Sequence, residues 1–179
     1  MDEYLDIVDK NGNLTGAKEL RSICHEKGLW HQTVHIFLVH TKNSSIYFLV
    51  HLRSKEKASQ PNKWAIPFGG HVEAGDSIQA TFVKELWEET GLLFDENQFI
   101  SAGMHTHEEE KNKECVHMLF LKFDEDESKL KFNDGEVQAA RWMKSEDIKN
   151  EIEKNPAKWA NSMRSYNEII EAITPELKT

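Results

Sequence analysis

The chain of 179 residues is 39% hydrophobic and 30% charged, and these proportions are typical of an ordinary soluble globular protein. Its formal net charge of −9 argues against a nucleic-acid polymer as a partner, because no basic stripe is available to neutralise phosphates. It has no apolar run of about 18 residues, so no membrane span is predicted. Two cysteines and an acidic start without a secretory pattern predict a reducing, cytoplasmic location.

The segment before residue 64 is predicted to consist mainly of β-strands, which the Asn11-Gly12 turn and a later polar turn connect as hairpins. The expected elements are strands 4–8 and 13–16, a short helix from Lys18 to Lys27, and strands 33–40 and 46–52. Residues 1–30 would then form an N-terminal β-hairpin extension. The later pair of strands would form an antiparallel hairpin at the centre of the sheet.

Residues 64–92, WAIPFGGHVEAGDSIQATFVKELWEETGL, hold the groups around which the chain is organised. A short aromatic and apolar strand runs into Gly69-Gly70, and a helix follows that ends at Gly91. Glycines before a helix let the backbone approach a ligand closely or adopt a positive φ. The apolar stripe that is expected to dock this helix on a core consists of Ile78, Phe82, Val83, Leu86 and Trp87.

Three glutamates near the end of this helix form a candidate metal site. Glu85, Glu88 and Glu89 occupy positions i, i+3 and i+4, so one helical turn brings three carboxylates to one face. Anions held this close repel one another unless a cation lies between them, and oxygen ligands favour Mg²⁺ or Mn²⁺. A solvated acidic face is the alternative. The apolar stripe and the glycines favour the metal site.

The rest of the chain predicts further strands and two helices. The expected elements are strands 99–106, 115–123 and 137–143, a helix with Ser145 as its N-cap, and a C-terminal helix over 155–174. Strands with helices on both sides predict an α/β protein, a three-layer α/β/α sandwich around a mixed sheet. Since no repeat or Pro/Gly-rich linker divides the chain, residues 1–179 are predicted to form a single domain.

The spacing around the glutamates resembles the Nudix box, the signature of hydrolases that cleave nucleoside diphosphates linked to another moiety. The matching positions are Gly70-x5-Asp76-x7-Lys84-Glu85-Leu86-x-Glu88-Glu89-x-Gly91-Leu92. The family pattern has Glu in place of Asp76 and Arg in place of Lys84, and both differences keep the charge. The resemblance implies the Nudix fold, a Mg²⁺ or Mn²⁺ cofactor and a small-molecule diphosphate substrate. The metal ligands that it implies are Glu85, Glu88, Glu89 and the main-chain carbonyl of Gly69.

Most of residues 4–143 is also similar to the isopentenyl-diphosphate isomerase-like group of Nudix proteins. The segments that carry this similarity are YLDIVD with Gly12, Gly28 to His35, and Lys63-Trp64 running into Gly69-Gly70-His71. The group contains hydrolases as well as isomerases. The isomerases move a proton with a cysteine at the position of Gly69 and a glutamate on a later strand, and glycine has no side chain for this step. A hydrolase is therefore favoured over an isopentenyl-diphosphate delta-isomerase.

Three histidines raise the question of a second metal site. In the isomerases, histidines near the positions of His25, His31 and His71 bind a separate metal together with later glutamates, and Glu114 lies on a later predicted strand. Such a site needs converging rings that hydrogen-bonded outer partners orient. Hydrogen-bonded structural histidines are the commoner alternative, and the sequence leaves both open.

For a hydrolase, the expected reaction is attack of a metal-activated water on the diphosphate. The candidate catalytic residues are Glu85, Glu88, Glu89 and Glu136. Glu89 and Glu136 are alternatives for the base that accepts the proton of the attacking water, and an exposed position at a strand entry is the other interpretation of Glu136.

The candidate substrate-binding residues are Arg53, His71 and Lys84. Arg53 would contact a terminal phosphate, and Lys84 would orient the acidic cluster by pairing with a neighbouring glutamate. Ordinary surface positions are the alternatives for both. A non-catalytic module that senses a nucleotide is a further possibility, which the intact glutamates disfavour. The N-terminal hairpin could provide a homodimer contact.

Overall fold

The computed structural model describes residues 3–57 and 59–177. Their elements are β1 (Tyr4–Val8), β2 (Leu14–Leu20), α1 (Arg21–Lys27), β3 (Trp30–Lys42), β4 (Ser45–Arg53), β5 (Trp64–Ala65), α2 (Ile78–Thr90), β6 (Ile100–Glu108), β7 (Lys113–Lys122), β8 (Val137–Lys144), α3 (Ser145–Lys154) and α4 (Met163–Leu177). Three short 3₁₀ helices lie at Glu96–Gln98, Glu127–Lys129 and Pro156–Lys158. None of the helices in this part of the chain combines the length and hydropathy that a bilayer-spanning segment needs.

Six strands form one mixed sheet in the order β5-β4-β3-β7-β6, and β8 pairs with β4. The long β3 and β7 run parallel over ten residues each, whereas the other pairs are antiparallel. The first two strands pair with each other in a separate two-stranded sheet. The predicted mixed sheet and N-terminal β-hairpin are therefore confirmed, and the central hairpin is β3–β4.

The sheet splits between β3 and β4. These strands pair only near their connecting turn, through 39–42 and 45–48, and β4 then continues alongside β5. The gap beside the first half of β3 is filled by residues 68–72, here called the glycine segment. Its backbone pairs with β3 through Ile36 N–H to Phe68 O (2.8 Å) and Val34 N–H to Gly70 O (2.9 Å). The split thus holds the two glycines in the middle of the sheet.

Helices cover both faces of the sheet, as the predicted three-layer sandwich requires. Alternate residues of a strand point to opposite faces. From β3, Ile36 and Leu38 join one apolar core with Phe82 and Leu86 of α2. The alternate residues of β3, Phe37 and Val39, join a second core with α3 and α4. That core also includes Ile152, Ile169 and Ile173. The helix α2, which carries the glutamates, therefore packs against one face of the sheet, and α3 and α4 pack against the other.

The C-terminal helix begins later than predicted, at Met163 rather than at residue 155. Pro156 starts a 3₁₀ turn, and the next residues are extended because they pair with the segment that leads into the glycines. Ala160 N–H donates to Trp64 O (2.8 Å), and Asn161 Oδ1 accepts from Ile66 N–H (3.0 Å). These bonds join the C-terminal region to the strand before Gly69.

Two smaller predictions about helix starts were wrong. Residues 18–20 belong to β2, since they pair with Tyr4 to Asp6, and α1 begins only at Arg21. Ser145 is the first residue of α3 rather than its N-cap, because its hydroxyl pairs with the Tyr166 hydroxyl (2.6 Å) instead of a backbone N–H.

Replacement of Asn161 by Ala should destabilise the protein by about 1–3 kcal/mol, because the N–H of Ile66 loses its partner at a partly buried position. Urea unfolding followed by circular dichroism measures this change. Asn150→Ala, at an exposed position of α3, is the matched control and should leave stability unchanged or slightly higher. Equal effects of the two substitutions would contradict the anchoring role of Asn161.

Candidate active site and a histidine cluster

The helix α2 is fixed at both ends by local signals. The Ser77 hydroxyl accepts from Ala80 N–H (3.1 Å) at the N-cap, and Gly91, at φ +71°, ends the helix in the left-handed conformation. Phe82 and Leu86 are buried as predicted, but Trp87 is 44% exposed and lies outside the docking stripe. The face beside the buried stripe carries the glutamates toward the split in the sheet.

The glycine pair brings backbone against two of these carboxylates. Gly69 has φ +128°, and a Cβ there would lie 2.1 Å from the carbonyl oxygen of Val34, so this position accepts only glycine. The Gly69 N–H donates to Glu89 Oε2 (2.7 Å). A Cβ on Gly70 would lie 2.5 Å from Glu85 Oε1. The Glu85 carboxylate therefore occupies the space that a side chain at residue 70 would fill, and Glu89 is held by the main-chain N–H of residue 69.

The two carboxylates are buried close together. Glu89 is 1% exposed. Burial, followed by the charges of Glu89 and Glu88, raises the pKa of Glu85 to about 8. Burial raises the pKa of Glu89 to about 7, although Lys57 and the Gly69 N–H act in the opposite direction. Such carboxylates need additional positive charge to ionise, so the residues present fit a divalent cation with oxygen ligands.

Two loops add charged groups to this cleft. The loop after β4 places Lys57 Nζ 3.8 Å from Glu89 Oε1 and in contact with Glu136 Oε2. Single oxygens of Glu89, Asp134 and Glu136 all lie within 4.8 Å of one another. Asn133 N–H donates to Glu88 O (2.9 Å), which ties this second loop to the end of α2. The structure thus brings Glu136 to the predicted glutamates. Five acidic residues are here called the glutamate site: Glu85, Glu88, Glu89, Asp134 and Glu136.

Sequence reasoning missed Lys57 and Asp134. Lys57 lies in a polar loop in which no local pattern distinguishes it from its neighbours. Asp134 lies two residues before Glu136, and this spacing was the only signal that could have indicated it. Burial raises the pKa of Asp134, whereas the charge of Lys57 acts in the opposite direction.

The structure shows the neighbours of the three predicted substrate-binding residues, whose contact with a substrate stays a prediction. Lys84 contacts Glu73 in the loop before α2 and does not pair with a glutamate of the cluster. Arg53 donates to the carbonyl oxygens of Ser59 (2.8 Å) and Gln60 (3.3 Å), so it fastens the loop that carries Lys57. His71 joins other histidines on the opposite face of the sheet. Successive residues of an extended segment point to opposite faces, so the side chain of His71 points away from α2.

Four residues from separate elements meet on that opposite face and are here called the histidine cluster: His25 of α1, His31 of β3, His71 of the glycine segment and Glu114 of β7. One ligand atom from each lies within 4.8 Å of all the others. The Nε2 atoms of His71 and His25 are 3.2 Å apart, and Glu114 Oε1 lies 3.8 Å from His31 Nε2 and 4.0 Å from His71 Nε2. The rings therefore converge, as a metal site requires.

Protonation of the histidine cluster also fits a metal site. His31 is fully buried, and its Nδ1 lies 2.9 Å from the carbonyl oxygen of Leu29, which can only accept. Nδ1 therefore carries a proton, and Nε2, which has no hydrogen-bond partner among the described residues, points into the cluster. Burial lowers the pKa of His71 to about 3, so its ring is neutral near pH 7. Neutral imidazoles are the form that binds metals.

With the geometry of both sites established, comparison with known proteins assigns the class. The family model of the NUDIX domain matches residues 29–164, which is most of the chain, so the protein belongs to the Nudix family. That the remaining residues belong to the same domain stays a prediction, as does the cytoplasmic location.

Three individual proteins illustrate the relationship. An uncharacterized Nudix hydrolase of Clostridium acetobutylicum is 34% identical over 103 residues, which cover 58% of this chain and 49% of that protein. An isopentenyl-diphosphate delta-isomerase of Roseobacter denitrificans is 25% identical over 165 residues, which cover 87% and 86% of the two chains. A crystal structure from Deinococcus radiodurans shares the fold with a TM-score of 0.70 at 19% identity, over 93% and 98% of the two chains. The chain spans about half the length, or less, of most curated relatives that it matches.

The stability of the metal-free protein should fall as the pH rises from about 7 to about 8.5. The folded pKa values of Glu85 and Glu89, about 8 and about 7, lie above the ordinary value of 4.5, so the folded protein binds more protons than the unfolded chain in this range. Buried neutral histidines act in the opposite sense, but only below about pH 6.5. Urea unfolding at several pH values, with a chelator present, measures the slope of stability against pH. Glu85→Gln should reduce it, and a slope that this variant leaves unchanged would contradict the raised pKa.

Replacement of Gly70 by Ala should weaken metal binding without unfolding the protein. The new methyl group would occupy the space of the Glu85 carboxylate, whereas the backbone of Gly70 is not in the left-handed region. We expect the affinity for Mn²⁺, measured by titration calorimetry, to fall at least about tenfold, a loss of roughly 1.4 kcal/mol. Gly16→Ala, at φ +85° in the N-terminal hairpin with open space around it, controls for backbone strain and should keep the affinity. Unchanged affinity in Gly70→Ala would contradict this assignment of the ligands.

Proposed function

We propose that the protein is a divalent-metal-dependent hydrolase that cleaves the diphosphate bond of a small organic diphosphate, nucleotide-like or otherwise, by attack of water. The main observation in support is the pair of buried carboxylates, Glu85 and Glu89, held against Gly69-Gly70 with pKa values raised to about 8 and about 7. Burial of uncompensated acids is costly unless a cation accompanies them. Membership of the Nudix family supports the same reaction.

The proposed metal ligands are Glu85, Glu88, Glu89 and the main-chain carbonyl of Gly69, and the proposed ion is Mg²⁺ or Mn²⁺. When bound, such an ion neutralises phosphate oxygens and lowers the pKa of a coordinated water. Glu89 is held in place by the Gly69 N–H, which fixes its Oε2, while its Oε1 faces Lys57 and the cleft. Its role is therefore assigned to metal binding.

Glu136 is proposed as the base that accepts the proton of the attacking water. It reaches the carboxylate of Glu89, but its side chain is 45% exposed, so water and substrate have access to it. Lys57 bridges the two carboxylates, and its ammonium group can also contact phosphate oxygens when substrate enters. Arg53 would act through the loop that it fastens rather than by direct contact.

A delta-isomerase is the second candidate, because the relative from Roseobacter denitrificans matches most of the chain and the histidine cluster is intact. The proton transfer of the isomerases, however, needs a side chain at the position of Gly69. The Cβ of any such residue would lie 2.1 Å from Val34 O. The backbone would have to move before a cysteine could fit, so hydrolysis is the better supported reaction.

Glu136→Gln should fold normally and lose about 10²–10⁴-fold in kcat, as expected for removal of a general base. Phosphate or nucleotide release would be measured with a panel of nucleoside diphosphates, nucleotide sugars, coenzyme A and isoprenoid diphosphates, with and without Mg²⁺. Glu153→Gln, an exposed glutamate of α3, is the control and should retain full activity.

The same panel separates the alternatives. An isomerase would convert isopentenyl diphosphate without phosphate release, and a sensing module would bind a panel member without turning it over. Full activity in both Glu89→Gln and Glu136→Gln would remove the assignment of the glutamate site.

A further inference from the structure

Lys57 is a cation that the chain itself places in the glutamate site. Its Nζ atom lies 3.8 Å from Glu89 Oε1 and in contact with Glu136 Oε2. Its side chain is only 16% exposed, so the ammonium group lies inside the cleft rather than in bulk water. Among the described residues, Lys57 is the only one that forms an ion pair with Glu89. The glutamate site is therefore partly neutralised by a group of the chain.

The ammonium group lies on the side of Glu89 that the proposed metal ion needs. The Gly69 N–H donates to Glu89 Oε2 (2.7 Å), so Oε1 is the oxygen of this carboxylate that remains for another partner. Lys57 faces that same oxygen. A divalent ion and an ammonium group that share one carboxylate oxygen repel each other, and burial strengthens the repulsion because little water screens it. Lys57 at its present place is therefore a competitor of the metal ion.

The backbone around Lys57 is held, whereas its side chain can move. Before it, the Ser54 N–H donates to Glu136 O (2.7 Å), and Arg53 donates to two carbonyl oxygens of the loop beyond it. The lysine ammonium is carried on a flexible stem of four carbons, so it can leave Glu89 without a movement of the loop. Its other partner, Glu136, has a side chain that is 45% exposed, which places the released group where phosphate oxygens can reach it.

We propose that Lys57 is a competing counter-ion of the metal site: its ammonium group leaves Glu89 when a divalent ion binds there, and it then binds a phosphate oxygen of the substrate. The inference rests on the proposed function for the identity of the metal and for the class of substrate. It sets an order in which the metal binds before Lys57 becomes available to the diphosphate. Removal of Lys57 therefore has opposite effects on the two ligands, since it strengthens binding of the metal and weakens binding of the diphosphate. A residue that only supported the fold would weaken both.

The first test is the affinity of the full chain for Mn²⁺. Titration calorimetry is made in anaerobic buffer at about pH 8.5, where competition from protons for Glu89 is small because its pKa is about 7. The Kd of Lys57→Met should fall at least about fivefold, the lower end of the range that is typical of coupling between bound groups. Lys57→Arg keeps the positive charge and should bind Mn²⁺ much as the wild type does.

Lys55→Met is the matched control, because it removes the same charge from the same loop. Lys55 lies 3.9 Å from Glu56, and the side chains of both are largely exposed. Solvent screens the charge of Lys55, so its removal should leave the Kd for Mn²⁺ unchanged. An equal gain in Lys55→Met would mean that the net charge of the loop, rather than competition at Glu89, sets the affinity, and it would overturn the inference.

The second test follows the displacement in the wild-type protein. Acetylation by acetic anhydride, mapped by mass spectrometry, reports how accessible each lysine ammonium group is. Saturating Mg²⁺ should raise the acetylation rate of Lys57 and leave that of Lys55 unchanged, because only Lys57 has a partner at the metal site. This measurement needs no variant, so a folding defect cannot produce its result.

Inorganic pyrophosphate is the probe for the phosphate contact. With saturating Mg²⁺, Lys57→Met should bind it about tenfold more weakly than the wild type, as expected for the loss of one charge-assisted hydrogen bond. In a chelator the two proteins should bind it equally, because Lys57 is then held by Glu89 and Glu136.

The outcomes separate the inference from the proposed function. If Lys57→Met leaves the Kd for Mn²⁺ unchanged or raises it, the inference is wrong and the proposed hydrolase stands. The same conclusion follows if Mg²⁺ does not change the acetylation of Lys57, or if the variant binds pyrophosphate with Mg²⁺ as tightly as the wild type. If Mn²⁺ binds neither to the wild type nor to the variants, the proposed function is wrong, and the inference fails with it.

Discussion

The hydrogen bond from the Gly69 N–H to Glu89 is the interaction on which the candidate active site depends. It is possible only because residue 69 has no side chain and adopts φ +128°, a conformation that other residues rarely tolerate. It also requires the split between β3 and β4, since a continuous sheet would use that N–H for a neighbouring strand. The bond therefore links the topology of the sheet to the placement of a proposed metal ligand.

Electrostatics explains why this arrangement favours function over stability. The carboxylates of Glu85 and Glu89 are buried beside Glu88 and Asp134, which raises the pKa of Glu85 and of Glu89. Lys57 provides the nearest positive charge, and burial lowers the pKa of its ammonium group, as expected where a cation has been withdrawn from water. One lysine does not balance this set of acids. The unbalanced charge is what gives the cleft its preference for a divalent cation.

Local signals in the sequence were sufficient to predict α2 and its glutamates. Ser77 as cap, Gly91 as stop and the apolar spacing between them are all properties of adjacent residues. The mixed sheet with helices on both faces also followed from the order of elements. Trp87 was the exception, because it lies at the margin of the apolar stripe and is exposed.

Features that depend on residues far apart in sequence could not be predicted in this way. Lys57 reaches Glu136 across 79 positions only because β4 and β8 pair. The extended segment around Trp159 pairs with Trp64, and this contact shortens the C-terminal helix. The placement of His71 needed one further fact, namely that the extended glycine segment pairs with β3, which decides the face to which each of its residues points.

The same alternation lets one short segment contribute to the proposed hydrolase site on one face of the sheet and to the histidine cluster on the other. Gly70 faces α2 and leaves room for Glu85, and His71 faces the opposite side and completes the histidine cluster. A cysteine at position 69 would require a different backbone, because its Cβ would collide with Val34 O. The backbone conformation of Gly69 therefore favours the proposed hydrolysis over an isomerase reaction that would need a side chain at this position.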